Sequence, residues 1–184
     1  MNPLVSVIVP IYNAAPFLKE TLDSITASTY RPIEIVMVDD GSQDNSINIA
    51  QDYCTNHPEC TVIAQANQGV SVARNNAIRH AKGIYILPVD ADDKIADTFI
   101  QKAVEVIEKN DNIRVVGCRC WMFGAVNKEW ELFERLLRPT GERFVGRRED
   151  RNSARAADQL FEAGLVNRSR ENGAFRALHD AGER

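Results

Sequence analysis

Short runs of valine and isoleucine alternate with stretches of helical period through the first two thirds of the chain. That alternation restricts the fold more than any other feature. "LVSVIVP" (4–10), "IEIVMVD" (33–39), "TVIAQ" (61–65), "GIYILPV" (83–89) and "IRVVGC" (113–118) are apolar runs of the kind found in strands covered on both faces. Between them Leu18, Leu22 and Ile25 recur at helical spacing, after a Pro16 suited to a helix start. Ile47, Ala50 and Cys54 mark a second helix, and Val70, Ala73, Ala77 and Ala81 a third. Phe99, Ala103, Val104 and Ile107 mark a fourth. Strands that alternate with helices imply right-handed crossovers and a largely parallel sheet. The expected fold is α/β, Rossmann-like, with a mostly parallel central sheet flanked by helices.

In such sheets the ligand crevice lies at the carboxyl ends of the strands. The unusual polar residues gather at those ends: Tyr12 and Asn13 after the first strand, Asp39 and Asp40 after the second. Asn67 and Gly69 follow the third, and Asp90, Asp92 and Asp93 the fourth. Taken alone, aspartates at a strand end read as turn formers and helix caps. After "IYILPV", and opposite the other polar features, "DADD" reads as a ligand for a hard divalent cation such as Mn²⁺ or Mg²⁺. An extended backbone would turn Asp90 and Asp92 to one side. Asp93 adds charge or caps the next segment, and Asp97 reads as a charge in the first turn of the following helix.

"VDDGSQD" has two readings. Gly41 suits a turn and Ser42 or Asp44 a helix cap; Asp39 or Asp40 could instead accept hydrogen bonds from a nucleobase or ribose. Arg74 and Asn75 stand within the first turns of the third helix, where an arginine would pair with Asp90 or with a diphosphate.

Composition excludes several classes. A net charge of −4 over 184 residues leaves no basic footprint for nucleic acid. No apolar run approaches the roughly 20 residues that span a bilayer, and "MNPLVSVIVPIYN" does not read as a signal peptide. The expected location is the cytoplasm, with peripheral attachment at the inner face of the membrane left open. Cys54, Cys60, Cys118 and Cys120 fit no common zinc spacing and read as reduced thiols. After residue 128 the chain has no lysine and is rich in arginine, and clear hydrophobic strands disappear. "RREDRNSARAADQLFEAGL" reads as a helix with Ala157, Leu160 and Phe161 inward. Either this segment is a charged helical or poorly ordered appendage, or a change of reading frame or fragment boundary produced it.

"VSVIVPIYN", "IEIVMVDDGSQDNS", "NQGVSVARNNAI" and "AKGIYILPVDADD", in that order, resemble the family 2 glycosyltransferases of the GT-A fold. The likeness covers roughly residues 4–120; its one mild departure is Pro88–Val89 before Asp90, where the family usually has leucine. The resemblance implies a nucleotide-sugar-binding domain over residues 1–128, followed by the arginine-rich segment 129–184. It implies a nucleotide-diphospho-sugar donor, most simply UDP-linked, and a saccharide or lipid-linked acceptor. Pro10, Tyr12 and Asn13 would line the nucleotide pocket with Gly69, and Asp39 and Asp40 would contact the base. Arg74 would hold the carboxylates and the diphosphate. Asp90, with Ala91, would meet the ribose or sugar, and Asp92 would ligate the metal with Asp90 or Asp93 beside it.

An inverting transfer also needs a general base. Glu149 and Asp150 are weak candidates, because the residues around them lack the family's aromatic and glycine context. His179 reads as a solvated histidine rather than a late metal ligand. The alternative is a donor-binding module without transfer activity. A dinucleotide oxidoreductase is disfavoured, since no G-x-G-x-x-G follows the first strand, and "PIYNAAPF" is not the glycine-rich loop of a pyrophosphorylase.

Overall fold

A computed structural model of the chain describes residues 1–111, 113, 115–117, 120–122, 128–130 and 164–167. The elements in order are β1 (Val5–Ile11), α1 (Leu18–Thr26), β2 (Ile33–Asp39), α2 (Ser46–Asn56), β3 (Cys60–Ala64) and α3 (Val70–His80). β4 (Tyr85–Pro88), α4 (Phe99–Glu108), β5 (Val115–Gly117), β6 (Cys120–Met122), β7 (Lys128–Trp130) and β8 (Gly164–Asn167) follow. Six strands make one sheet in the order β3-β2-β1-β4-β8-β5, and β6 and β7 form a separate antiparallel pair. β1 pairs in parallel with β2 and β4, and β2 with β3, as the alternation of strands and helices requires.

β1 lies at the centre and all of it is buried. Its side chains divide between two cores with the period of a strand. Val5, Val7, Val9 and Ile11 pack with Leu18, Leu22 and Ile25 of α1, Tyr53 of α2, and Ile100 and Ile107 of α4. Ile8 packs on the other face with Val36, Val38 and Ile86, against Ala73 and Ala77 of α3. The sheet is therefore covered by α1, α2 and α4 on one face and by α3 on the other. Each fully buried isoleucine or leucine contributes about 1.5–3 kcal/mol, so these two layers hold the fold.

Several local expectations shift. The inward residues of α2 are Ser46, Ala50 and Tyr53, while Ile47 and Cys54 are only half-buried. Asp44 does not cap the helix directly; its Oδ1 accepts the N–H of Ser46 at 3.0 Å and the Ser46 hydroxyl at 2.5 Å, closing the turn before it. Asp97 precedes α4 rather than joining its first turn, and its carbonyl accepts the Thr29 N–H at 2.9 Å.

The largest difference is β8. Gly164 and Leu165, expected at the end of a helix, instead open a strand between β4 and β5. β8 is antiparallel to both neighbours, with Ile86 opposite Val166 and Gly117 opposite Gly164. Leu165 is fully buried in the larger core. Four residues with two apolar side chains, paired to partners far earlier in the chain, leave no periodic signal. β5 thus ends, and β8 begins, at the carboxyl edge of β4. Glu149, Asp150, His179, Cys118 and the rest of the expected helix lie outside the described residues. Among the described residues no helix is long and apolar enough to cross a membrane.

At the opposite edge Ser6 donates to Glu34 Oε1 at 2.5 Å and accepts the Gly83 N–H at 2.8 Å. A Cβ on Gly83 would stand 2.6 Å from Ser6 Oγ and 2.7 Å from the Leu4 carbonyl oxygen. Two of its three nearest neighbours are backbone atoms that cannot swing aside. Gly83→Ala is expected to lower stability by about 1–3 kcal/mol in urea denaturation; an unchanged midpoint would show that the start of β4 can shift freely.

Candidate functional site

The carboxyl edge of the sheet opens into a crevice of about 530 Å³, within the size range of small-molecule sites. Pro10, Tyr12 and Asn13 reach it from the end of β1, and Asp40 from the end of β2. Asn67 and Gly69 come from the loop before α3, and Arg74 from its second turn. Asp90, Ala91 and Asp92 follow β4. Of the site residues expected from the sequence and described, only Asp39 and Asp93 do not line the wall.

Side-chain hydrogen bonds between the turns hold these loops. Asn13 has a φ of +50°, a left-handed conformation that asparagine tolerates better than most residues. Its N–H donates to Ser42 Oγ at 3.0 Å and its Oδ1 accepts the Gln43 N–H at 2.8 Å. The Ala14 and Ala15 N–H groups donate to Ser46 Oγ and Asp44 Oδ2. Thus the turn after β2 fixes the one after β1.

Asp39 and Asp40 are both buried but have different surroundings. The Asp40 carboxylate accepts Gln65 Nε2–H and the N–H groups of Gln68 and Gly69, each at 2.8 Å, and so ties the end of β2 to the start of α3. Gly69 takes a φ of +91° there, in the region that favours glycine. Asp39 Oδ2 accepts the Ser42 N–H at 3.2 Å. Its Oδ1 is buried with no hydrogen-bond partner among the described residues.

The acidic stretch is a turn rather than a continued strand. β4 stops at Pro88, and the Asp93 N–H donates to the Asp90 carbonyl at 3.0 Å. The backbone there is not extended, so Asp90 and Asp92 are not turned to one side by the alternation of a strand. Instead, the turn buries Ala91 in the larger core and leaves Asp90 and Asp92 on the crevice wall. Arg74 Nη2 lies 2.6 Å from Asp90 Oδ1, with the two side chains only 12% and 24% exposed. Partial burial makes this pair stronger than a surface ion pair.

The Asp93 carboxyl is pushed up to about 6 by loss of hydration and by the charges of Asp90 and Asp92, with Arg74 opposing. Because the residue is exposed, the like charges carry more physical weight than the desolvation. Among the described residues no three His, Cys, Asp or Glu side chains converge as a closed metal cage. The donor set nevertheless fits Mg²⁺ or Mn²⁺, which take one or two carboxylates and complete their shell with water and substrate phosphate.

The crevice also has an apolar rim that the sequence reading missed. Phe17 and Val70 line it and are 53% and 47% exposed, beside Tyr12 at 53%. Both stand where helices begin; the helical spacing of Val70 points to packing with Ala73 and Ala77, and Phe17 has no assigned role in the sequence. The signal available was an aromatic residue just beyond a strand-end turn.

Residues 6–164 match the sequence profile of "Glycosyl transferase family 2". The chain belongs to this family. The uncharacterized glycosyltransferase EpsJ of Bacillus subtilis is 46% identical over 118 residues, which are 64% of this chain and 34% of EpsJ. The mannosyltransferase PcManGT from Pyrobaculum calidifontis, solved with GDP-Man and Mn²⁺, superposes with a TM-score of 0.60 at 32% identity. That match covers 64% of this chain and 36% of PcManGT. S. aureus TarS 1–349, solved with UDP-GlcNAc, superposes with a TM-score of 0.54 at 33% identity, covering 57% of this chain and 31% of TarS. The family 2 chain described here thus spans about a third of the length of these relatives. Its sheet and flanking helices are those of the GT-A fold.

The raised Asp93 carboxyl makes stability depend on pH. The folded state holds this proton more tightly than the unfolded one. Its stabilising contribution is complete below the ordinary value of 3.8 and is lost as pH rises through about 6. Asp93→Asn is expected to stabilise the metal-free protein at pH 7.5, by no more than about 1 kcal/mol after solvent screening. At pH 4 the substitution should change little. Denaturation at the two pH values checks this, and an equal effect at both would refute the charge crowding.

Proposed function

We propose that this chain holds the donor of a glycosyl transfer: a nucleotide-diphospho-sugar whose sugar passes to a saccharide or lipid-linked acceptor. The observation that carries this reading is the pairing of Arg74 with Asp90 beside Asp92 at a crevice walled by four strand-end loops. Tyr12, Pro10 and Asn13 offer a surface for the nucleoside, and Asp40 and Gly69 border its base; Asp39, buried off the crevice wall, does not reach it. Arg74 orients Asp90 and stands where a diphosphate carries its charge. Asp90 and Ala91 meet the ribose or sugar. PcManGT was solved with GDP-Man and TarS 1–349 with UDP-GlcNAc, which supports the same ligand class here.

Transfer breaks the bond from the anomeric carbon to the diphosphate oxygen, which leaves with the electron pair. A new bond forms from an acceptor hydroxyl oxygen, whose proton passes to a carboxylate base in an inverting reaction. Asp92, with Asp90 or Asp93 beside it, is the holder of Mn²⁺ or Mg²⁺. Such a cation, when bound, supplies Lewis-acid stabilisation of the charge that develops on the diphosphate. No described residue is assigned as the base; Glu149 and Asp150, outside the described residues, are only weak candidates for it. Synthesis of a cell-surface polysaccharide or glycan is the setting that fits these partners.

Calorimetry with UDP, with and without Mn²⁺, followed by a UDP-sugar hydrolysis or transfer assay, tests the proposal. Metal-dependent UDP binding with turnover is expected. Binding without turnover would make the chain a donor-binding module, and no metal-dependent binding would remove both readings. Asp92→Asn should weaken the metal-dependent binding by at least about tenfold. Its melting curve should stay close to wild type, because the side chain is exposed. Undiminished binding that still needs metal would take Asp92 out of the ligand set.

A further inference from the structure

Two of the three hydroxyls on α1 reach the segment that follows β4. Thr21 is 1% exposed, and its Oγ1 donates to the Ala91 carbonyl at 2.8 Å. Ser24 donates to the Thr21 carbonyl at 2.7 Å, and its Oγ accepts the Ile95 N–H at 3.2 Å. Glu20 of the same helix pairs with Lys94. Ala91 and Ile95 bracket Asp92 and Asp93. The stretch between them belongs to no regular element, because β4 ends at Pro88 and α4 begins at Phe99. Its two ends are held by these bonds from α1 and by packing of Ala91 and Ile95 on the larger core, and a turn bond runs from the Asp93 N–H to the Asp90 carbonyl.

A mid-helix threonine ordinarily returns its hydroxyl to a carbonyl of the preceding turn. Thr26 does so, donating to the Leu22 carbonyl at 3.1 Å. Thr21 reaches across the fold instead. Threonine is also a poorer helix former than alanine, by up to about 0.7 kcal/mol, and a buried hydroxyl must find a partner. Helix formation alone therefore gives no reason for threonine at this position. The bond to Ala91 does.

We propose that Thr21 and Ser24 are positioning residues for the cation-binding carboxylate: they fix the backbone on both sides of Asp92, so that its side chain is already aimed into the crevice. The inference rests on the donor-site reading above and extends it to the neighbouring helix. Residues that orient a metal ligand matter in proportion to how little else holds that ligand. Here the ligand-bearing turn is exposed at Asp92 and Asp93 and crowded with like charge, and the two hydroxyls of α1 tether the backbone on either side of it.

The test compares wild type with Thr21→Val, Thr21→Ser and Ser6→Ala by calorimetry with UDP and Mn²⁺, and by electron paramagnetic resonance of free Mn²⁺. Thr21→Val keeps the shape and loses the donor; metal-dependent binding should weaken roughly tenfold or more. UDP binding without metal should stay within about twofold, because the nucleoside wall is untouched. Thr21→Ser keeps the hydroxyl and should recover most of the loss. Ser6→Ala removes buried hydrogen bonds at the far edge, so it should melt earlier while binding like wild type. If Thr21→Val does not fold, Ser24→Ala at its part-buried position carries the same expectation. Wild-type binding with Thr21→Val unchanged, or an equal loss in Ser6→Ala, overturns this inference alone. Absence of Mn²⁺-dependent UDP binding in wild type overturns the donor-site reading and this inference with it.

Discussion

Parallel pairing of β1 with β2 on one side and β4 on the other decides where everything else can go. A parallel crossover must return to the amino edge before the next strand starts, so all the turns that leave the strands emerge at the same edge. The register makes them level. Ile11 stands opposite Asp39, and Asp39 opposite Ala64, so the ends of β1, β2 and β3 coincide. β4 ends beside Ile8, and the Val89 N–H still donates to the Ile8 carbonyl at 3.0 Å. The chain that follows lines the same crevice as Tyr12. Loops far apart in sequence meet because the strands beneath them are in step.

At that edge charge is unevenly distributed. Asp90 has Arg74, while Asp92 and Asp93 face water and each other. A protein tolerates such crowding when the excess has a use, and a divalent cation with a diphosphate is the chemistry that would relieve it. Asp40 shows the contrasting case. Buried and saturated by three donors, it organises the loop that brings Gly69 and Arg74 to the crevice.

The parallel half of the fold was plain in the sequence because its signals are local. Seven buried residues of β1 read as "VSVIVPI", and α3 announced its closeness to the sheet through Ala73 and Ala77. Most of the crevice wall was legible for the same reason, as polar residues placed just after apolar runs. What was hidden depends on contacts distant in sequence. β8 has only Leu165 and Val166 to mark it, and its identity comes from fitting between β4 and β5. Thr21 looks like any helix residue until Ala91 is placed beside it. Asp40 could be read as ligand contact or as scaffold, and only its three donors reveal the scaffolding contribution.

The antiparallel insertion of β8 affects how such a chain can change over evolutionary time. Gly117 and Gly164 stand opposite each other in β5 and β8, so the sheet meets the intervening chain at adjacent points. Closing a flexible loop costs only about 0.6 kcal/mol more for each doubling of its length. Insertions or exchanges between those two glycines need not disturb the register of β4 or the crevice beside it. The architecture thus separates the parallel strands that wall the crevice from a segment whose length can change without moving them.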